Sequence, residues 1–325
     1  MKIGIKGLGF YIPEKRVKIE EIAKKVNLHP KIVQAIGAES VSEADSNELP
    51  SEMGVKASIK AMEEAKINPN EIDIIINAPA GLQDYIIPPI SGYIQHKIEA
   101  KSSFCFDIVQ GCCGMLTGVN IAKNFIISGE ARKVLVVSSD KWSAYTDYHS
   151  AEAVIFGDGA GAVIISNDAE DFIFRDFLFE TNGKYFNLYG IEEGGVKNIE
   201  VKNGIKYKCL NIETARKEFK EPYIQGFIDV SKKILNKNRI HITDISFISM
   251  VNANLRLLEK ICDEFNYPIE NTNVEYLKKW GHVGGSDIFF NLKLAKDGGK
   301  IEKGDLILLL NAGIGFTWGA CLIEY

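Results

Sequence analysis

The chain states one structural phrase twice. Ile67-Asn68-Pro69-Asn70-Glu71-Ile72-Asp73-Ile74-Ile75-Ile76-Asn77-Ala78, a polar turn running into a continuous apolar stretch, returns as Ile240-His241-Ile242-Thr243-Asp244-Ile245-Ser246-Phe247-Ile248-Ser249-Met250-Val251-Asn252-Ala253. A second phrase, residues 129–137 (GEARKVLVV), returns as residues 301–310 (IEKGDLILLL). Each half therefore holds a helix, a buried strand, a second helix and another buried strand. The first helices are read from apolar residues at helical spacing, over 51–65 after a Ser start and over 223–235 in the second half. Strands that are apolar on both faces belong in a sheet covered by helices on both sides. Two such sheets, one per half, predict an α/β fold layered α/β/α/β/α. The halves, 1–168 and 169–325, divide at the polar turn Asn167-Asp168-Ala169-Glu170-Asp171. Residues 181–208 are polar, Gly-rich and weakly periodic, and read as an insertion of loops and short strands, a surface excursion more than a substrate lid.

Composition narrows the function. The 325 residues are 46% hydrophobic and 25% charged, the balance of a soluble globular protein. A net charge of -5 gives no global field for nucleic acid or an anionic membrane, so an acidic partner would need a local basic patch. No apolar run approaches the roughly 18 residues of a membrane span. Met1-Lys2-Ile3-Gly4-Ile5 reads as a strand and not as a signal peptide, so a cytoplasmic protein is expected. The six cysteines show no C-x-x-C spacing and the five histidines no pair at ligand spacing. Metal-free chemistry without a tightly bound cofactor is the expectation.

One thiol is placed for such chemistry. In Phe106-Asp107-Ile108-Val109-Gln110-Gly111-Cys112-Cys113-Gly114 a cysteine opens a helix straight after a buried strand. The N–H groups and positive dipole end of a helix start favour a thiolate, and the thiolate is the nucleophile. The alternative is that Cys112 and Cys113 are two small buried hydrophobes.

Three further stretches accompany it: Phe156-Gly157-Asp158-Gly159-Ala160-Gly161-Ala162-Val163, Ala253-Asn254-Leu255-Arg256, and Gly313-Ile314-Gly315-Phe316-Thr317-Trp318-Gly319-Ala320. With the opening Gly7-Leu8-Gly9-Phe10-Tyr11-Ile12-Pro13 and the Asp107-x4-Cys112 spacing, they resemble, in order and over nearly the whole chain, the ketoacyl-(acyl-carrier-protein) synthase III family of the thiolase superfamily. The resemblance implies a duplicated five-layer thiolase-like fold, a homodimer, and Cys112 as acyl carrier. It implies an oxyanion hole from the backbone N–H groups of Cys112 and the Gly313, Ile314 and Gly315 loop. The substrate it implies is an acyl-coenzyme A or acyl-carrier-protein thioester. The loop Gly81-Leu82-Gln83-Asp84-Tyr85-Ile86-Ile87-Pro88-Pro89 matches where the family's dimer partner lends a residue to the acyl pocket, which makes Tyr85, Ile86 and Ile87 the candidates for setting chain length.

The departures from the family carry as much. Members that condense with malonyl groups carry a His in H-Q-A-N-L-R and an Asn in G-N-T-S. Here those positions hold Val251 and His282. Valine donates nothing to an enolate, and losing one such donor typically costs about 2.7–4 kcal/mol of transition-state stabilisation. His282 and Asp287, five apart across a Gly-rich turn, instead suggest a Cys-His-Asp triad that activates the thiol and deprotonates an incoming nucleophile. The other readings are a structural histidine and a helix N-cap. The triad resembles the family's non-decarboxylating acyltransferases, which move a preformed acyl group to a small-molecule oxygen, nitrogen or sulfur nucleophile. Two rivals remain. One is decarboxylative condensation in fatty acid or polyketide synthesis, with His282 and Asn252 or Asn254 supplying the lost donors. The other is a silent subunit of a heterodimeric synthase.

Where coenzyme A binders of the family carry W-I-V-x-R-x-G-I, this chain reads Lys31-Ile32-Val33-Gln34-Ala35-Ile36-Gly37-Ala38, without the stacking ring or the guanidinium. Arg256 and Lys260, four apart on a helix, are the candidate docking patch for an acidic carrier, or simply a solvated face. His149, in the segment before the Gly157-Asp158-Gly159 turn, reads more as a loop or dimer-interface residue than as an alternative base.

Overall fold

The computed structural model describes residues 1–146 and 154–325, so His149 lies outside the described residues. Among the described residues nine strands form the large hydrogen-bonded sheet: β1 (Gly4–Tyr11), β2 (Ile74–Asn77), β3 (Phe104–Asp107), β4 (Lys133–Asp140), β5 (Gly159–Ser166), β6 (Asp171–Thr181), β7 (Ile245–Met250), β8 (Leu306–Gly313) and β9 (Thr317–Glu324). Their order is β7-β8-β9-β6-β1-β5-β4-β2-β3. The repeat seen in the sequence is the repeat of this order. The run β2-β4-β5-β1 is matched by β7-β8-β9-β6, each beginning with a parallel pair and continuing antiparallel. The two runs are joined where Gly4 and Ile5 of β1 pair with Ile173 and Asp171, beside a bond from Phe174 N–H to the Ile3 carbonyl at 2.9 Å. The counterpart of β3 is reduced to a single bridge, Thr272 beside Ile248 of β7.

Alternation within the strands divides their side chains between layers. Ile75, Leu135, Val137 and Ile164 face the outer helices α1 (Pro50–Ala65) and α2 (Ile90–Lys97). Their neighbours Ile74, Ile76, Val134, Val136 and Val163 face inward. There they meet α3 (Gly114–Ile127) and α6 (Asp287–Asp297), which also receive Ile307, Leu309 and Ile323 of the second run. Leu308, Leu310 and Leu322 point the other way, onto α4 (Lys220–Asn238) and α5 (Leu255–Phe265). This is the five-layer thiolase-like fold, and it explains why the strands read as unbroken apolar runs.

Two local expectations are corrected. Ser51 does not cap α1; its N–H and hydroxyl bind the Asp84 carboxylate at 3.1 and 2.5 Å, which ties the helix start to the 81–89 loop. Residues 181–208 are more than a surface excursion. The short strands Tyr189–Ile191 and Tyr207–Cys209 pair, and Tyr189 and Tyr207 line the main cavity. Among the described residues no helix is long and apolar enough to cross a membrane.

Candidate active site

Asp107 ends β3 with its carboxylate bonded to the N–H groups of Ile90 and Ser91 at the start of α2, both at 3.0 Å, and to Asn77 at 2.8 Å. The strand end is thereby fixed, and the chain turns through Gly111 (φ 53) into a 3-10 turn, Gly111–Cys113. Cys112 sits in this turn, two residues before α3 begins at Gly114 and not inside the helix itself. Cys113 is fully buried, and burial together with the neighbouring Cys112 pushes its thiol up to about 12. It therefore stays protonated, while Cys112 keeps 7% of its surface open to the cavity.

His282 is placed by its backbone, donating to the Ile155 carbonyl at 2.9 Å and accepting from Gly157 at 2.8 Å. This pairing is what the Phe156-Gly157-Asp158 turn provides. Asp158 anchors the turn by accepting from Ala44, the Ser143 N–H and the Ser143 hydroxyl at 2.8, 2.9 and 2.5 Å. The His282 ring then has Nε2 3.3 Å from the Cys112 sulfur and Nδ1 2.5 Å from Asp287 Oδ2. Asp287 is the first residue of α6, so it serves a helix start and a histidine together. Its Oδ1 accepts from Val283 N–H at 2.8 Å and its Oδ2 also from Asn252 N–H at 2.8 Å. A carboxylate held this way fixes the tautomer with the proton on Nδ1 and leaves Nε2 to take the thiol proton. Burial disfavours a charged imidazole, but Asp287 and the Cys112 sulfur outweigh it and hold His282 well above its ordinary pKa.

The glycine loop and the cysteine turn touch backbone to backbone. A Cβ on Gly313 would lie 2.6 Å from Cys113 N and Gln110 O and 3.0 Å from Cys112 N, and one on Gly111 would lie 2.9 Å from Ile314 N. Only glycines permit this approach, which brings the N–H groups of residues 112 and 314 into one neighbourhood.

These groups open onto a cavity of about 670 Å³. Trp142, Phe156 and Tyr207 wall its inner end, with Trp142 stacked on Phe156 at 4.4 Å. Val251 lines it and is buried. At the mouth stand exposed Lys31, Arg216, Lys220, Arg256 and Lys260. Among the described residues none of these five is in an ion pair. Arg256 and Lys260 were anticipated; Arg216 and Lys220 repeat the same four-residue spacing and were legible by it. Tyr85, Ile86 and Ile87 are 71%, 72% and 95% exposed and do not reach this chain's own cavity. Among the described residues no group of three or more His, Cys, Asp or Glu could hold a metal ion.

Behind the triad lies an asparagine cluster that no sequence motif announces. The side chain of Asn252 donates to the carbonyl of Gly281 at 2.8 Å and accepts from Asn273 and Asn291 at 2.7 and 3.0 Å. Asn254, the other asparagine considered as a donor, accepts from Leu257 N–H at 2.8 Å as the cap of α5 and borders the cavity.

Comparison with known proteins agrees with this architecture. Residues 106–183 match the family model described as 3-oxoacyl-[acyl-carrier-protein (ACP)] synthase III, and residues 235–325 match its C-terminal counterpart. A beta-ketoacyl-[acyl-carrier-protein] synthase III of Ehrlichia chaffeensis is 30% identical over 98% of both chains. A second synthase III of Staphylococcus epidermidis is 29% identical over 98% of this chain and 96% of its own. The crystal structure of the Aquifex aeolicus synthase III superposes with a TM-score of 0.85 at 27% identity, covering 99% of this chain and 100% of that one. An enzyme of the acyltransferase and synthase class is what these relationships support. With its duplicated fold, both family models matched in chain order and a 30% identical relative covered along nearly its whole length, the chain belongs to the 3-oxoacyl-[acyl-carrier-protein] synthase III family.

Proposed function

We propose that this enzyme transfers a preformed acyl group from a thioester to a small-molecule nucleophile through an acyl-Cys112 intermediate, without decarboxylation. His282 accepts the Cys112 proton, and the thiolate attacks the thioester carbonyl. The N–H groups of Cys112 and the Gly313 to Gly315 loop stabilise the oxyanion, and the donor thiol leaves with the proton. His282, oriented by Asp287, then takes the proton of an incoming alcohol, amine or thiol as it attacks the acyl-cysteine; the acyl–sulfur bond breaks and the departing Cys112 thiolate recovers the proton from His282. The observation that carries the reading is the unbroken series of sulfur, imidazole and carboxylate at 3.3 and 2.5 Å beside buried Val251.

The rival is condensation with a malonyl group, as the names of the curated relatives suggest. It needs two donors on the malonyl thioester carbonyl. Val251 supplies none, and Asn252 is fully buried with both ends of its amide engaged. The donor thioester follows from the mouth: five cations suit the phosphates of coenzyme A or the face of an acidic carrier protein. Exposed Tyr85, Ile86, Ile87, Phe104 and Val109 lie on segments that Asp107 joins at the sheet edge, which supports a homodimer whose loop reaches the partner's acyl pocket. Incubation with acetyl thioesters followed by intact mass tests the reading. An adduct is expected on the wild type and not on Cys112→Ala; equal labelling of both refutes the nucleophile, and no label on either favours a silent subunit.

A further inference from the structure

Asp140 ends β4 beneath the triad, and the mechanism above gives it no part. It is fully buried. Its Oδ1 accepts from Ala80 and Gly81 N–H at 3.0 and 2.7 Å, and its Oδ2 stands 3.2 Å from Ala80 N. On its other side lies the turn from His282 to Asp287. A Cβ on Gly284 (φ 85) would fall 2.3 Å from Asp140 Oδ2, so the carboxylate is pressed against that turn. The titratable groups near enough to act on it electrostatically are His282 from the turn, Asp158 from the segment before β5, and Tyr145 from the segment after β4. Lys141, next in the chain, turns its ammonium to the carbonyl of Asp45 instead. Of these neighbours only His282 is placed to bring a positive charge. A buried carboxylate without a bonded cation is heavily penalised, and such groups concentrate at functional sites.

We propose that Asp140 is a positioning residue that gives His282 a second negative neighbour across the Gly284 contact, while tying the residue 80–81 loop to the triad turn. The inference rests on the triad reading. Among the described residues no hydrogen bond joins Asp140 to His282, so it moves no proton itself and acts on the imidazolium through space. Burial pushes its carboxyl up to about 6, against the pull of the Ala80 and Gly81 N–H groups and of His282. Below that pH Asp140 is neutral, the imidazolium keeps only Asp287, and the thiol–imidazole form gains over the thiolate–imidazolium pair. The charge that sharpens Cys112 is thus one that the fold bears at a cost.

Asp140→Asn separates this role from simple anchoring, because its amide oxygen still accepts from residues 80 and 81. The rate of Cys112 alkylation by iodoacetamide is followed by intact mass from about pH 5 to about pH 8, the range in which such groups titrate. Thermal melts accompany it. The wild type is expected to react about tenfold faster than the variant above about pH 6, and that advantage should vanish as pH falls through about 6. The variant should melt at the same or a higher temperature above pH 6. A ratio of wild-type to variant rate that stays constant across the range, or a variant that loses melting temperature and rate together, overturns the proposal. A second readout needs no variant: the His282 ring signals of the wild type should show an inflection near pH 6, and a flat response there also overturns it. His282→Gln distinguishes the underlying reading, since alkylation as fast as wild type in that variant would mean that no triad operates.

Discussion

Replacing Asp287 by Asn changes one atom and reaches the whole triad. Asp287 accepts three N–H groups besides its place at the start of α6: Val283 on Oδ1, and Asn252 and the His282 ring on Oδ2. An amide has one oxygen. If its NH2 takes the Oδ1 side, it faces the Val283 N–H, and a buried donor is orphaned. If it takes the Oδ2 side, it faces the Asn252 N–H and forces His282 to accept at Nδ1, so the ring proton moves to Nε2 and points at the sulfur. Leaving one buried N–H unpaired costs about 1–3 kcal/mol of stability. The wrong tautomer removes the base, for which a loss of about 10⁴ in turnover is the measured scale in a serine protease triad. Asp287→Asn should therefore melt lower by several degrees yet stay folded, bind thioester with little change, and transfer acyl groups about 10³–10⁴ times more slowly. Single-turnover acylation followed by intact mass, with melts alongside, reads both. If Asp287→Asn acylates and discharges within about tenfold of wild type, Asp287 is only a helix-start residue and the triad account fails.

Other outcomes follow from the same geometry. Gly313→Ala places a methyl within 3.0 Å of Cys112 N and should cut acylation by about 10²–10³, with Cys112 alkylation much less affected. Reversing Arg256 and Lys260 to Glu removes two of five mouth cations and should raise KM for a carrier thioester about tenfold, with a weaker salt dependence than wild type. His282 contributes to stability with a definite sign. Its folded pKa is raised, so the contribution is complete below about pH 6.5 and is lost as pH rises through the folded value; wild type should lose stability on alkaline titration more steeply than His282→Gln.

Much of this was legible in the sequence. The strand repeat survives because both runs pack between helices, so 74–77 and 245–250 keep the same apolar period. What was not legible is the loss of a strand opposite β3, since the chain there contributes one bridge at Thr272 and no pattern. Cys112, His282 and Asp287 were nameable because a short turn or a five-residue spacing carries each, and the structure brings the three together. Asn252, Asn273 and Asn291 meet from three separate segments, and Asp140 meets Gly284 across 144 positions. Each is an unremarkable polar residue until folding surrounds it. Tyr189 and Tyr207 were hidden for the opposite reason: a polar, Gly-rich segment does not announce that two of its rings turn inward.

The central claim is that acyl-Cys112 passes its group to a nucleophile rather than to a malonyl enolate. Acyl-enzyme prepared with an acetyl thioester and divided between an amine or alcohol acceptor and a malonyl thioester tests this directly, with the adduct mass and released carbon dioxide followed together. The account predicts discharge of the adduct by the acceptor and no carbon dioxide above background. Carbon dioxide released in step with adduct loss would contradict it and assign the enzyme to condensation.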